Sequence, residues 1–145
     1  MSDKDPSSLR ARIEKTFLAS PFVGDLGINF IDCGEGWCET KLVLASRHMQ
    51  FSGVVHAGVI STLADHSAGA AAVTLLEPGK LVVSAEFKIS LLRGGRGDYL
   101  TCRGNALKSG RLISFVEAEV WAWQGSQSRQ VAKLSATMVT VEAES

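Results

Sequence analysis

A run of small and apolar residues in the middle of the chain, residues 53–76, limits the possible folds more than any other feature. It predicts one long helix over residues 56–76 that is apolar nearly all round and is ended by Pro78 and Gly79. Such a helix must be covered on every side. A curved sheet wrapped around it would supply that cover, and the abundant alanine and glycine would let the sheet approach closely.

The segments around this helix complete an α+β pattern. A short helix is predicted over residues 7–20, capped by Ser7 or Ser8 and stopped by Pro21. Alternating apolar residues predict six strands, at residues 24–33, 37–44, 81–92, 99–107, 112–124 and 130–142. The predicted turns between the later strands are residues 94–98, 108–111 and 125–128. We therefore expect one antiparallel sheet with the long helix on one face.

The length of 145 residues suits a single domain, with residues 1–20 as an N-terminal extension and residues 22–140 as the core. A sheet of this size leaves an edge or a face exposed. We therefore expect the chain to pair with a second copy, as a dimer or a tetramer of dimers. Fifteen basic residues balance fifteen acidic ones, which disfavours a nucleic-acid partner.

The sequence also bears on location and metals. The polar N-terminal segment lacks the apolar core of a signal peptide, and polar residues interrupt the central run, so it fails as a membrane span. The three cysteines, Cys33, Cys38 and Cys102, lack metal-ligand spacing. We expect free thiols in a reducing cytoplasm and no metal site.

Asp65 is the residue that fits the helix least well, because a carboxylate among apolar residues is costly unless it is paired or used. It lies on a solvent stripe, accepts a side-chain hydrogen bond, or acts as a general base or nucleophile. The helix start at residues 56–58 offers unpaired N–H groups that could hold an oxyanion. Together these suit acyl transfer or hydrolysis. Asp65 lies roughly two and a half turns beyond its own helix start, so it would serve the helix start of a neighbouring copy.

Residues 50–65 carry a family resemblance. The sequence QFSGVVHAGVISTLAD resembles the signature G-x-x-H-G-G-x-x-x-x-L-x-D, with an upstream amide, of the hotdog-fold acyl-CoA thioesterases, specifically the phenylacetic-acid-degradation (PaaI-type) branch. The resemblance extends over residues 22–140. It implies a hotdog fold, in which an antiparallel sheet wraps around one long central helix, and a site formed between two subunits.

The resemblance also implies roles for individual residues. Asp65 would be the catalytic carboxylate, which activates water or attacks the thioester carbonyl. The N–H of Ala57, with that of Gly58, would polarise this carbonyl, and His56 would shape the helix mouth. The remaining site residues implied are Gln50, in the place of the upstream amide, and Ser84, a strand hydroxyl that helps to place the water.

Two of these positions depart from the usual signature. Ala57 stands where the first glycine of H-G-G is usual, and Gln50 stands where asparagine is usual. Alanine keeps the N–H, although a positive φ would be costly for it. Glutamine is one methylene longer than asparagine. This variant pattern resembles a medium- to long-chain acyl-CoA thioesterase branch.

Basic residues at the predicted turns are candidates for contacts to the phosphates of CoA, because a guanidinium can bind a phosphate through two hydrogen bonds. We expect the fold to bring these turns near one another. The candidates are Arg93, Arg96, Lys108 and Arg111. The alternative is that these charges are simply solvated.

Other reactive side chains are assigned to packing. His66 points about 100° away from Asp65 on the helix and is expected to pack. Trp121 and Trp123 share one strand face and are expected in the core or at a subunit contact. The chain has no G-x-S-x-G elbow of a serine hydrolase, and Cys102 has no evident base beside it.

We therefore expect an acyl-CoA thioesterase that hydrolyses a medium-chain, long-chain or aryl acyl-CoA to the free acid and CoA, with no cofactor. One alternative is a hotdog hydratase or dehydratase that acts on acyl thioesters. A second alternative is a non-catalytic protein that binds acyl-CoA.

Overall fold

The computed structural model of the protein describes residues 5–144. Two short helices and a two-stranded hairpin come before a long helix, and four strands follow it. The elements are α1 (Pro6–Leu18), α2 (Pro21–Leu26), β1 (Ile28–Gly34), β2 (Trp37–Val43), α3 (Ala57–Val73), β3 (Lys80–Leu91), β4 (Tyr99–Ser109), β5 (Ile113–Gln124) and β6 (Gln127–Glu142). A single 3₁₀ turn, Ser46–His48, lies between β2 and α3.

The six strands form one antiparallel sheet in the order β1-β2-β4-β5-β6-β3. Alternate side chains of β4 and β5 are buried, and they face the long helix α3. Ten of the seventeen α3 residues are buried, mostly alanine, valine, isoleucine and leucine. The predicted α+β architecture, with an antiparallel sheet wrapped around one central helix, is confirmed.

The sheet touches the backbone of α3 directly at Gly104 on β4. A Cβ atom at this position would lie 2.4 Å from the carbonyl oxygen of Ser67 and 2.8 Å from the nitrogen of Ala68. The Ser67 hydroxyl is fully buried and joins the same layer, because it donates to the Leu63 carbonyl and shares a hydrogen bond of 2.7 Å with the Thr40 hydroxyl. Small residues on both elements thus set the distance between helix and sheet.

The N-terminal region differs from the prediction. Asp5, rather than Ser7 or Ser8, caps α1, and its carboxylate accepts from the Ser7 N–H at 3.0 Å. Pro21 does not only end a helix: it is the first residue of α2, where its missing N–H has no cost. Gly27 ends α2 in the left-handed conformation (φ 83°), so β1 begins at Ile28 rather than at residue 24.

Smaller corrections concern element ends. Helix α3 ends at Val73, three residues before the predicted end. Lys108 and Ser109 belong to β4 rather than to the turn that follows it. Strand β6 begins at Gln127, because Gly125 adopts a positive φ of 59° and closes the hairpin in two residues.

The two edge strands of the sheet, β1 and β3, differ in how much of their free side is covered. On β1, the Arg10 guanidinium of α1 donates to the carbonyl of Ile31 and to the carboxylate of Asp32. Strand β3 pairs with β6 along one side, and no strand within residues 5–144 pairs with its other side. Its central residues are exposed, and they include the apolar side chains of Val83 and Phe87. The β3 edge is therefore open to a further strand.

The three cysteines are buried free thiols. Burial raises the pKa of Cys102 to about 12, and it also raises the pKa of Cys33 and Cys38. Such thiols are poor nucleophiles at neutral pH. Among the described residues, no helix is long and apolar enough to span a membrane, and no group of three or more metal-binding side chains occurs.

Gly104→Ala should destabilise the fold by about 2 kcal/mol or more, because the added methyl group would collide with backbone atoms of α3. Urea denaturation would measure the change. Gly24→Ala is the matched control: no atom lies within 4 Å of the added methyl group, so its stability should be unchanged or raised. Equal urea midpoints for the two variants would contradict the proposed contact.

Candidate active site

The start of α3 is held by the side chain of His56. The Nδ1 atom of His56 accepts a hydrogen bond from the Gly58 N–H at 2.8 Å, which is the geometry of an N-cap. A side chain at Gly58 would crowd this ring, since its Cβ would lie 3.0 Å from Nδ1. Glycine at this position leaves room for the ring, and its N–H is already used by the cap.

Ala57 leaves the helix start with a usable donor. Its N–H is exposed and has no hydrogen-bond acceptor among residues 5–144. No described residue other than glycine has a positive φ, so alanine meets no backbone penalty at this position. The helix dipole adds partial positive charge at the same point. An oxyanion or a polarised carbonyl would be stabilised there.

The loop before the helix is a small hairpin. The N–H of Gln50 donates to the Val54 carbonyl at 2.9 Å, and Gly53 turns the chain with a φ of 79°. The Gln50 side chain is half-buried at the base of this hairpin, whereas Phe51 at its tip is fully exposed. Gln50 thus lies close in sequence and in structure to the helix start.

The buried side chain of His48 stabilises the segment before α3 through hydrogen bonds, a role that the sequence did not reveal. It is 1% exposed, its Nδ1 accepts from the Ala45 N–H, and its Nε2 donates to the Leu26 carbonyl at 2.7 Å. Its own carbonyl accepts from the His56 N–H at 2.9 Å. The ring is therefore a structural support for the helix start, and its only signal in the sequence was its place beside the motif.

Asp65 lies on the side of α3 that faces strand β3. One carboxylate oxygen accepts a hydrogen bond of 2.6 Å from the Ser84 hydroxyl. The carboxylate is half-buried and forms part of a shallow cleft of about 280 Å³. The other lining residues are Phe22, Ser61, Thr62, His66 and Phe87. The Ser84 hydroxyl thus fixes the Asp65 carboxylate at the mouth of a cleft, whereas its predicted role in placing a water stays a prediction.

The candidate residues form two separate halves within one chain. The first half is the helix start, with Gln50, His56 and Ala57. The second half is the carboxylate of Asp65 with Ser84. Eight residues of helix separate Ala57 from Asp65, which corresponds to about 12 Å. A single thioester carbonyl cannot reach both halves of one chain.

His66 packs as expected. Its ring lies against Phe17 with a centroid separation of 4.3 Å, and its Nε2 donates to the Phe17 carbonyl at 3.1 Å. Burial lowers the pKa of His66, although the hydrogen bond and the nearby Asp65 oppose this change. The ring is therefore neutral at pH 7 and attaches α1 to α3.

Trp121 and Trp123 face away from α3. The Trp123 ring stacks on Tyr99, and its Nε1 donates to the Thr101 hydroxyl at 2.9 Å. Both tryptophans alternate with buried residues such as Ala122, so they lie on the outer face of the sheet. Of the two expected places, the core is wrong for both residues, and a subunit contact stays a prediction. The alternation of β5 fixes the face, but the sequence did not show which face was inside.

The basic candidates divide between two ends of the sheet, which corrects the expectation that they cluster. Arg93 donates to the Gln130 carbonyl, and Arg96 donates to the Gly53 carbonyl at 3.2 Å. Lys108 in the last residues of β4 and Arg111 in the turn that follows lie at the far end of this eleven-residue strand. The length of β4 therefore separates them from Arg93 and Arg96, which precede the strand.

A third arginine joins Arg93 and Arg96. Arg129, near the start of β6, lines the same cleft of about 760 Å³, together with the polar side chains of Gln127 and Ser128. Arg129 was not among the predicted site residues, because it fell between the predicted turn at residues 125–128 and the predicted strand at residues 130–142. Three guanidinium groups around one cleft favour a ligand with several negative charges.

Comparison with known proteins places this geometry in a family. Residues 52–128, which contain the candidate site except for Gln50, match the thioesterase superfamily. A Haemophilus influenzae protein named "Putative esterase" is 34% identical over 98 residues, which are 68% of this chain and 71% of that protein. The chain belongs to the thioesterase superfamily. The predicted family and the predicted class of enzyme, a thioester hydrolase, are thereby confirmed.

Solved structures of other superfamily members share the fold. A thioesterase family protein from Silicibacter pomeroyi has a TM-score of 0.88 and 26% identity, covering 91% of this chain and 97% of that one. A thioesterase from Haemophilus influenzae has a TM-score of 0.80 and 25% identity, covering 97% and 93%. The Escherichia coli PaaI protein, at 20% identity, shares the fold with a TM-score of 0.82, covering 98% of both chains.

His56→Ala should destabilise the thioesterase by about 1 kcal/mol, because the Gly58 N–H loses its cap. His56→Asn should stay within about 0.5 kcal/mol of the wild type, since asparagine is a good N-cap. Guanidinium denaturation followed by circular dichroism at one protein concentration would measure both variants. Equal losses for alanine and asparagine would show that packing of the ring, rather than the cap, holds the helix start.

Proposed function

We propose that the chain hydrolyses acyl-CoA thioesters at a composite site, in which Asp65 and Ser84 of one copy face the helix start of a second copy. The observation that carries this proposal is the separation of about 12 Å between the two halves along one rigid helix. The halves are complementary, because one supplies a carboxylate and the other an N–H donor. A second copy is the simplest source of the missing half.

The open edge of β3 supports the assembly. Ser84 lies on this strand, so the edge that lacks a neighbouring strand is also the edge that carries half of the site. Pairing with the β3 of a second copy would satisfy the free backbone groups and cover Val83 and Phe87. It would also bring two copies together symmetrically, which gives a dimer with two identical sites.

The chemistry follows from the contacts. The thioester carbonyl would accept a hydrogen bond from the Ala57 N–H, which stabilises the developing oxyanion. The Asp65 carboxylate, fixed by the Ser84 hydroxyl, would take a proton from water as it attacks, or would itself attack the carbonyl carbon. The Gln50 amide would orient the water or the substrate. The C–S bond breaks, and CoA leaves as a thiolate that takes up the proton lost by the water. On the nucleophilic route the acyl group stays on Asp65 as a mixed anhydride until water hydrolyses it, so both routes give the acid and CoA.

The cleft lined by Arg93, Arg96 and Arg129, here called the arginine cleft, would hold the phosphates of CoA. Arg96 is hydrogen-bonded to Gly53, three residues before His56, so the cleft lies beside the proposed binding point of the carbonyl. Arg93 and Arg129 complete the set. Lys108 and Arg111 lie at the other end of the sheet, and we assign the phosphates to the arginine cleft instead.

Asp65→Asn should lower kcat by at least about 100-fold on the best ester of an acyl-CoA panel, because the base or nucleophile is lost. Thiol release would be followed with a chromogenic reagent. Asp25→Asn is the matched control, since Asp25 is an exposed carboxylate on α2, and it should keep full activity.

Three outcomes would contradict this assignment of function. Full activity of Asp65→Asn would remove the proposed carboxylate. Tight binding of acyl-CoA in calorimetry without turnover of any ester would favour a non-catalytic binder. Hydration of crotonyl-CoA, measured by its absorbance, without thiol release would favour a hydratase.

Arg129→Gln should raise KM for an acyl-CoA by about 10-fold, because a charge-assisted contact to a phosphate is lost. The same variant should leave KM unchanged for the corresponding acyl-pantetheine, which lacks the nucleotide phosphates. Lys108→Gln is the control for a basic residue at the other end of the sheet, and its KM should stay near the wild-type value. A raised KM for Lys108→Gln with an unchanged KM for Arg129→Gln would instead place the phosphates at the β4–β5 end of the sheet.

A further inference from the structure

A small apolar cavity of about 160 Å³ lies between α1, α3 and the first residues of β3. Its walls are mostly aliphatic or aromatic, and its polar side chains are those of Thr16 and His66. Its apolar walls include Ile13 and Phe17 on α1, Gly69, Ala70 and Val73 on α3, and Val82 on β3. The proposed catalytic machinery uses none of them.

The cavity adjoins the cleft of Asp65. His66 lines both spaces, so its ring separates the carboxylate from the apolar cavity. Gly69 follows Asp65 by four residues, which places it one helical turn away on the same face. Burial lowers the pKa of His66, so no positive charge lies at this boundary at neutral pH. The acyl chain of a substrate bound at the Asp65 cleft would enter the cavity by passing the His66 ring.

Gly69 is the residue that keeps the cavity open. Its φ is not positive, and the atoms nearest to an added Cβ are all 3.7 Å away, on Met138 and Val82. Neither backbone conformation nor packing therefore requires glycine here. Glycine inside a helix is nevertheless less stable than alanine. Gly69 lines the cavity one turn beyond Asp65, and a methyl group there would be in ordinary van der Waals contact with Met138 and Val82.

We propose that this cavity receives the far end of the acyl chain and that Gly69 sets the chain length that fits. The proposal rests on the thioesterase function proposed above. Apolar cavities of about 150 Å³ accept a ligand the size of benzene, so the cavity takes about six carbon atoms of the chain. A medium-length saturated acyl group, such as octanoyl, matches this volume, whereas an acetyl group would not reach it.

The test adds side chains to Gly69 and measures chain-length preference. Gly69→Leu should lower kcat/KM for octanoyl-CoA by about 10-fold or more and change that for acetyl-CoA by less than about twofold, because leucine fills the space of several methylene groups. Gly69→Ala should give a smaller loss and raise Tm by about 2–4 °C. Gly24→Leu is the matched control, because Gly24 is an open helical position on α2. It should leave kcat/KM unchanged for both substrates.

A binding measurement separates this inference from the proposed catalytic function. S-octyl-CoA is a thioether that cannot be hydrolysed, and Gly69→Leu should weaken its binding about 10-fold in calorimetry, with S-ethyl-CoA as the short control. If no ester is turned over but this binding difference appears, the catalytic proposal fails and the cavity assignment stands. If both Gly69 variants bind and hydrolyse short and long chains in the wild-type ratio, the cavity assignment is wrong.

Discussion

The contact between the backbone of α3 and the strand β4 determines the rest of the structure. At Gly104 the two backbones approach so closely that a single methyl group would not fit. Alanine and glycine make α3 narrow enough for this approach, and the curved sheet can then cover most of its circumference. One stripe of the helix is left toward the β3 edge, and it carries Asp65, His66 and Gly69. The carboxylate half of the candidate site lies on this stripe, where Ser84 of the edge strand β3 bonds to Asp65.

Polar groups on this otherwise apolar helix are stabilised by short-range contacts. His56 accepts from the Gly58 N–H, and Asp65 accepts from the Ser84 hydroxyl. Each bond also orients the group that the proposed reaction uses: the first leaves the Ala57 N–H as the available donor, and the second fixes one oxygen of the carboxylate. The same contacts therefore hold these polar groups in place and prepare the chemistry.

The sequence predicted the elements with strong periodicity and failed where one residue type has two structural uses. The central helix and the strands were visible because their apolar spacing is unambiguous. Pro21 was interpreted as a helix stop, although proline also begins helices, so α2 was missed. Lys108 and Arg111 were expected near Arg93 because all were assigned to turns. Their separation follows from the length of β4, because Arg93 and Arg96 precede this strand and Lys108 and Arg111 lie at its other end.

The two proposed uses of the α3 stripe explain why the site needs two chains. A rigid helix keeps its N-terminal donor and its carboxylate about 12 Å apart, so no side-chain movement within one copy can bring them to one carbonyl. In the proposed dimer the open β3 edge would remove this conflict, because Ser84 and Asp65 lie where a second copy would pair. Assembly and catalysis would then depend on the same surface. The cavity beside Gly69 lies between elements of a single copy, so the length of the acyl chain would be set by one subunit while the bond is cleaved between two.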